Sequence, residues 1–355
     1  MTANPKAQTL KAVLLVLIIS LNYAGHCQKT TNKQIFKEVK FDTSYIESYR
    51  NDLTLGLSIP QKFVNISLSD ENSGNGIDYS PNSNASLGVK AAYKWLGISV
   101  GIAIPETTNG KQTYGETQKL DIQLNTYLRF LVIDAYLQSY RGMYMDNMTE
   151  YFEDFDEEAD KYYKRSDLVF ANLGFAVRYV TNNKRFSYKA AFDYNQKQKK
   201  RAGSLILGTY FFLNALEADS AMIPHFARDN FNEESMFTKA NSTNIGISIG
   251  YIYTFVIKKH FFATLEVTPG FGLQTITALG DDETIVFEKA GLGINTTTRF
   301  SMGYSKKRFY GSIAGVFGVT NLNNEDKNTI NYGYGYVRYT LGYRFNVGKL
   351  RNKEN

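Results

Sequence analysis

The chain has 355 residues, with three histidines, His26, His225 and His260, and one cysteine, Cys27. Acid-base or nucleophilic catalysis of the Ser-His-Asp kind needs an imidazole within hydrogen-bond reach of its partners. His260 falls in a short polar turn and His225 in the long link before the strand that leads to it, so each reads as a solvated loop residue. The densest group of possible metal ligands is the acidic run "TEYFEDFDEEADKYYKR", Thr149 to Arg165. Glu153, Asp154, Asp156, Glu157, Glu158 and Asp160 offer oxygens of the kind Ca²⁺ takes. The run lacks the glycine and ligand spacing of an EF-hand loop, and Lys161, Lys164 and Arg165 offset part of its charge, which makes it a solvated loop. No catalytic, cofactor or metal site is therefore expected, and no enzymatic activity.

A second set of ionisable residues recurs inside otherwise apolar segments: Lys90, Asp121, Arg129, Asp134, Arg178, Lys189, Asp193, Glu266, Arg299, Arg338 and Arg344. Both signs are present, so the set can line an aqueous passage or pair internally and close it. The elements that hold these residues alternate with a period of two. Leu120, Ile122 and Leu124 interleave with Asp121, Gln123 and Asn125. Leu173, Phe175, Val177 and Tyr179 interleave with Gly174 and Arg178, and Ile245, Ile247, Ile249 and Tyr251 with Gly246, Ser248 and Gly250. Successive side chains of a strand point to opposite faces, so each segment is a strand with one apolar and one small or polar face.

Many such strands without an amphipathic helix make an all-β chain. A soluble sandwich turns its apolar faces inward against a second sheet. A transmembrane barrel turns them outward to lipid around a polar interior, with strands of about ten residues and aromatic girdles. Gly, Ser, Asn and Arg on the second face suit a crowded lumen, and 26 Tyr and 24 Phe against one Trp and six Pro suit the girdles. The expected fold is a transmembrane antiparallel up-and-down β-barrel of roughly 12 to 14 strands, with 14 favoured.

Short turns of bacterial barrels face the periplasm and long loops the exterior. "TNNK" from Thr181, "IKKH" from Ile257 and "SKKR" from Ser305 are short, and the Asn214 to Thr243 link is long. Counted from the C-terminus, that link lies outside. Counted from the N-terminus, with a strand between the Thr181 turn and a further link at Asn195 to Ala202, it lies inside. A weak strand between Leu216 and Lys239, or a hairpin at Pro60, would restore parity at 14. On the favoured topology His225 and His260 stand at opposite ends of a crossing about 25 Å tall and cannot share a site.

At the N-terminus, Lys6 and Lys11 accompany the apolar run Ala12 to Leu21, which is too short to span a bilayer. Residues 1–27 read as a cleaved signal peptide. His26, not a small residue, precedes Cys27, which argues against lipid attachment. Residues 28–50 form a periplasmic lead-in, 51–348 the barrel and 349–355 a tail. The last strand carries Val337, Tyr339, Leu341, Tyr343 and Phe345 on its lipid side. Its aromatic end is similar to the signal by which outer-membrane barrels are recognised for assembly. The net charge is +6, but Lys and Arg are spread along the sequence, which excludes nucleic acid as a partner.

The segments "YIESYRNDLTLGLSI" from Tyr45, "YSPNSNASLGVKAAYKWLGISVG" from Tyr79, "YGETQKLDIQLNTYLRF" from Tyr114, "QKKRAGSLILG" from Gln198 and "DSAMIP" from Asp219 follow one another along most of the chain. In that order the chain resembles a Bacteroidota family of outer-membrane barrels, the domain of unknown function 4421. The resemblance implies an outer-membrane location and carries no substrate, catalytic residue or cofactor. The expected function is passage or binding of small polar solutes. Its alternatives are a barrel enzyme acting on lipid or peptide at the membrane surface, and a structural or adhesive barrel with a plugged lumen. The expected partners are outer-membrane lipid, the outer-membrane assembly machinery acting on the C-terminal strand, and a small polar solute.

Overall fold

A computed structural model describes residues 41–346, except 71–73, 84, 94–95, 105–107, 157–160 and 324–327. The expected signal segment, the 349–355 tail, and Glu157, Glu158 and Asp160 of the acidic run lie outside the described residues. Fifteen strands follow in chain order: β1 (Ile46–Ser48), β2 (Leu53–Asp70), β3 (Asn75–Ser80), β4 (Ser86–Tyr93), β5 (Leu96–Ala103), β6 (Gln118–Tyr127), β7 (Leu131–Met145), β8 (Lys164–Val180), β9 (Gln196–Gln198), β10 (Ala202–Glu217), β11 (Lys239–Ile257), β12 (Phe261–Leu279), β13 (Ile285–Ser305), β14 (Phe309–Asn323) and β15 (Asn328–Phe345). One short helix, α1 (Thr108–Tyr114), precedes β6.

The antiparallel barrel expected from the alternation is what the chain forms. Among the described residues the main sheet holds 13 strands. Ten of them close a ring, β2, β3, β7, β8 and β10 to β15, with β15 pairing back onto β2 from Asp70↔Asn328 to Leu53↔Phe345. The hairpin of β4 and β5 extends from β2, and β6 pairs with β7. Closure satisfies the backbone without an open edge, the condition for crossing lipid with strands. The alternation also survives. Leu120, Ile122 and Leu124 are 51%, 54% and 57% exposed, and Ile247, Leu292 and Leu341 are 69%, 79% and 62% exposed. Their neighbours in sequence face the interior, so this apolar surface is one that lipid covers.

The expected count of 14 is corrected, and with it the parity conflict. No strand separates the Thr181 turn from β9. Residues 186–194, "FSYKAAFDY", carry apolar even positions and read as a strand, but Lys189–Asp193 forms one π-helical turn. Wall strands keep one face exposed. Here Phe186, Ser187, Tyr188, Ala190, Ala191, Phe192 and Tyr194 are all buried, because the segment lies inside the barrel instead of in its wall. One crossing fewer puts the β10 to β11 link on the long-loop side from both ends of the chain. No hidden strand is needed, and β2 runs unbroken through Pro60. Its ladder with β4 stops at Ser58 and that with β3 begins at Ile66, so Pro60 falls where β2 pairs with β15 alone. A residue without an N–H is tolerated at such one-sided pairings.

Candidate functional site

The interior is filled in layers. We call the short-turn end the inner mouth and the long-loop end the outer mouth, the sides such turns and loops take in bacterial barrels. At the inner mouth, residues 181–201 fold into the lumen as a plug, and β9 of this segment pairs with β1 of the lead-in. The π-helical turn leaves backbone carbonyls unpaired at its end, as any helix does, and wall side chains supply the donors. Lys90 Nζ donates to Phe192 O (2.8 Å), Ser301 Oγ to Ala191 O (2.6 Å), Arg338 Nη2 to Phe192 O (3.3 Å) and Arg344 Nε to Tyr194 O (2.8 Å). Lys90 also pairs with Asp193 at 3.2 Å. Tyr194 closes the turn in a left-handed conformation (φ 62°), stacks on Tyr310 at 4.8 Å and accepts a hydrogen bond from Ser312 Oγ at its hydroxyl. Phe192 stacks on Tyr127 at 5.4 Å.

Above the plug lies a buried charge layer. Asp134 of β7 accepts from both Arg178 of β8 and Arg299 of β13, and from Asn125 Nδ2 at 2.7 Å. Arg299 Nε lies 3.5 Å from Glu266 Oε2, an ion pair rather than a close hydrogen bond. Arg178 Nη2 donates to Thr297 Oγ1 at 3.0 Å, and Thr268 Oγ1 to Glu266 Oε1 at 2.9 Å. Asp134, Glu266 and Arg299 are each fully buried. These residues come from β6, β7, β8, β12 and β13, so the layer spans the lumen from wall to wall.

A polar layer of amides and tyrosines follows. Asp121 of β6 accepts from Tyr140 OH (2.6 Å) and Gln138 Nε2 (3.3 Å) and pairs with Lys62 Nζ (3.3 Å). Gln138 Oε1 accepts from Asn172 and from Tyr332 OH. Beyond it the outer third is apolar on its inward face, with Val64, Ile66 and Leu68 of β2 packed against Ile77, Tyr79, Leu168 and Phe170. The β10 to β11 loop completes this core. Met222 and Ile223 are buried, Tyr79 OH donates to Met222 O, and Arg165 donates to Ala221 O and Ser220 O while forking onto Asp167. Outside it, Phe226 meets Tyr151, Phe152 and Tyr163 at 6.3, 5.2 and 5.3 Å, joining the two longest outer loops in an aromatic crown.

The structure brings together most of the charged set expected on the inner face: Asp134, Arg178, Glu266 and Arg299 in one layer, Lys90, Arg338 and Arg344 around the plug, and Asp121 above. Three residues are corrected. Lys189 and Asp193 belong to the plug instead of the wall. Arg129 lies in the turn between β6 and β7, where its guanidinium stacks on Phe41 at 4.9 Å. Sequence reasoning passed over Lys62, Ser301, Arg165 and the tyrosines. For Lys62 the signal was present, since even positions of β2 face inward on both sides of Pro60. The side chains filling the lumen leave only cavities of about 10 and 20 Å³ near the outer mouth, too small for a solute. Among the described residues no group of three or more His, Cys, Asp and Glu is placed to hold a metal ion.

A family model described as a domain of unknown function, DUF4421, matches residues 40–345. No curated protein matches. Solved structures similar in fold include the outer membrane protease OmpT of Escherichia coli, at 8% identity and a TM-score of 0.38, covering 84% of this chain and 98% of that one. They also include the toluene transporter TodX of Pseudomonas putida, at 7% identity and a TM-score of 0.19 over 83% and 90% of the two chains. The transport unit of the E. coli autotransporter AIDA-I matches at 8% identity and a TM-score of 0.27, over 83% and 90%.

Proposed function

The chain belongs to the DUF4421 family, and on that premise we propose an outer-membrane barrel that is closed at rest and acts through what its ordered outer loops bind. The observation that carries this reading is the filled lumen: plug, charge layer and loop-capped core stand in series, and each is knit to the wall by direct hydrogen bonds or apolar contact. Passive flow of small polar solutes is then not the resting activity. The display or adhesive role fits better, because the crown of Tyr151, Phe152, Tyr163 and Phe226 holds the outer loops in a fixed arrangement. The reading takes the chain as non-enzymatic, since His225 lies in the outer loop and His260 in an inner turn. It also takes the aromatic end of β15 as the feature the assembly machinery engages. Single-channel recording on the refolded chain in a planar bilayer tests it, after heat-dependent gel mobility confirms folding. A folded, silent protein is expected. Stable unitary steps from the unmodified chain would sink the proposal and reinstate the open pore.

A further inference from the structure

The lysines scattered along the sequence gather in space at the inner mouth. The turn between β11 and β12 carries Lys258 and Lys259, the turn between β13 and β14 carries Lys306 and Lys307, and all four are exposed. The turns are neighbours, because Ser305 N donates to His260 O at 2.8 Å. Neither turn contains a carboxylate.

Lys258 and Lys259 hold left-handed backbone conformations, with φ of 48° and 66°. That pair of angles belongs to the two-residue hairpin turn for which Asn-Gly is preferred, and a long side chain at either position is disfavoured. Two adjacent cations therefore occupy positions where local backbone energetics favours other residues, an outlier of the kind that marks function.

Beside these turns a cavity of about 10 Å³ opens between plug and wall, lined by Lys197 of the plug and by Thr254, His260 and Ser305 of the wall, among others. Lys197 Nζ lies 3.1 Å from His260 Nδ1, so two basic side chains meet with no acid between them. The acid facing Lys197 is Glu47, its register partner in the β1 to β9 pair. Burial pushes the Lys197 ammonium down and Glu47 opposes the shift. A cavity of this size admits one oxygen-sized group. It suits an anion that inserts one oxygen and leaves the others at the rim.

We propose that this corner of the inner mouth is a binding site for a phosphate group, with one non-bridging oxygen between Lys197 and His260 and the remaining charge met by Lys258, Lys259, Lys306 and Lys307. Phosphate offers several acceptor oxygens to such donors, and charge-assisted bonds to it are the strong class of hydrogen bond. The same chemistry is presented by free phosphate and by the headgroup of an anionic phospholipid in the adjoining leaflet. The outward rings of Phe261 and Phe309 flank the two turns at the depth where headgroups lie. A bound phosphate bridges plug and wall, and so ties the closure of the lumen to an anion.

The test uses the full refolded chain and reads its unfolding midpoint. One arm titrates inorganic phosphate against chloride at matched ionic strength. The other compares phosphatidylcholine vesicles with and without phosphatidylglycerol. A saturable rise with phosphate is expected, and Lys197→Gln with His260→Gln should weaken it about tenfold or more, the value of a charge-assisted hydrogen bond. Lys258→Asn with Lys259→Gly removes two charges while relieving the turn, so weaker phosphate binding in that variant comes without loss of folding. A rise with phosphatidylglycerol that phosphate competes away assigns the site to the headgroup, and a response to phosphate alone assigns it to the free anion. No saturable response, or one unchanged in both variants, overturns the proposal.

Discussion

Asp134 is the residue on which the closed lumen depends. It accepts from two guanidinium groups in a place without water, and its loss leaves Arg178 and Arg299 buried with one carboxylate, Glu266, at 3.5 Å. Breaking such a pair costs about 3–5 kcal/mol, whereas exchanging the whole set for apolar groups of similar size is near neutral. Asp134→Ala should therefore lower the unfolding free energy by about 3–5 kcal/mol. Asp134→Leu combined with Arg178→Met, Arg299→Met and Glu266→Gln should recover most of it, as read from urea titrations of the heat-modifiable gel band. A combined variant weaker than the single one would show that the layer stabilises as charge instead of as filled volume. The glycine and tyrosine richness has a residue-scale cause too. Gly342 lies directly opposite Tyr310, and a Cβ there would stand 2.2 Å from the Tyr310 ring. Gly342→Val should displace that ring from Tyr194 and cost about 1–3 kcal/mol by overpacking, measured by the same titration.

At the scale of elements, the wall was legible and the plug was not. A wall strand has two different environments, lipid and lumen, so its alternation is strict, and Leu120 to Asn125 or Ile245 to Gly250 announce themselves. Residues 186–194 alternate as well, yet they are buried on every side, and a pattern of two cannot distinguish a wall from an insertion. The parity conflict was the clue: chain direction is conserved, and one excess crossing had to be removed. The outer third of β2 gave no such clue, since Val64, Ile66 and Leu68 face inward beneath a loop core that only the fold assembles. Because β8 and β10 pair directly from Val180↔Ile206 onward, the plug is dispensable for the wall. Replacing residues 185–199 with a two-residue Asn-Gly turn should leave the heat-modifiable barrel intact. Ser301→Cys, buried against the plug, should then change from inert to rapidly labelled by a maleimide. Failure of the excised chain to fold would mean the plug is part of the folding core.

For the molecule as a whole, closure in series makes opening a conditional property. A pore needs every layer breached at once, so the effect of removing one layer depends on the others. Sites that share a passage are coupled, and single changes do not add. Excision of the plug alone leaves Asp134, Arg178, Glu266 and Arg299 across the lumen and Met222 and Ile223 in the outer core, so no stable current is expected. Arg165→Ala alone frees the outer loop from its anchors at Ser220 O and Ala221 O, and should render residues 217–239 sensitive to protease while the bilayer stays silent. Only the combination of plug excision, Arg165→Ala and a reduced charge layer, Asp134→Gly with Arg299→Ala, should give unitary steps, provided its gel mobility reports a folded barrel. Steps from plug excision alone would mean that the charge layer passes ions as it stands, and the barrel would then be a channel gated at its inner mouth.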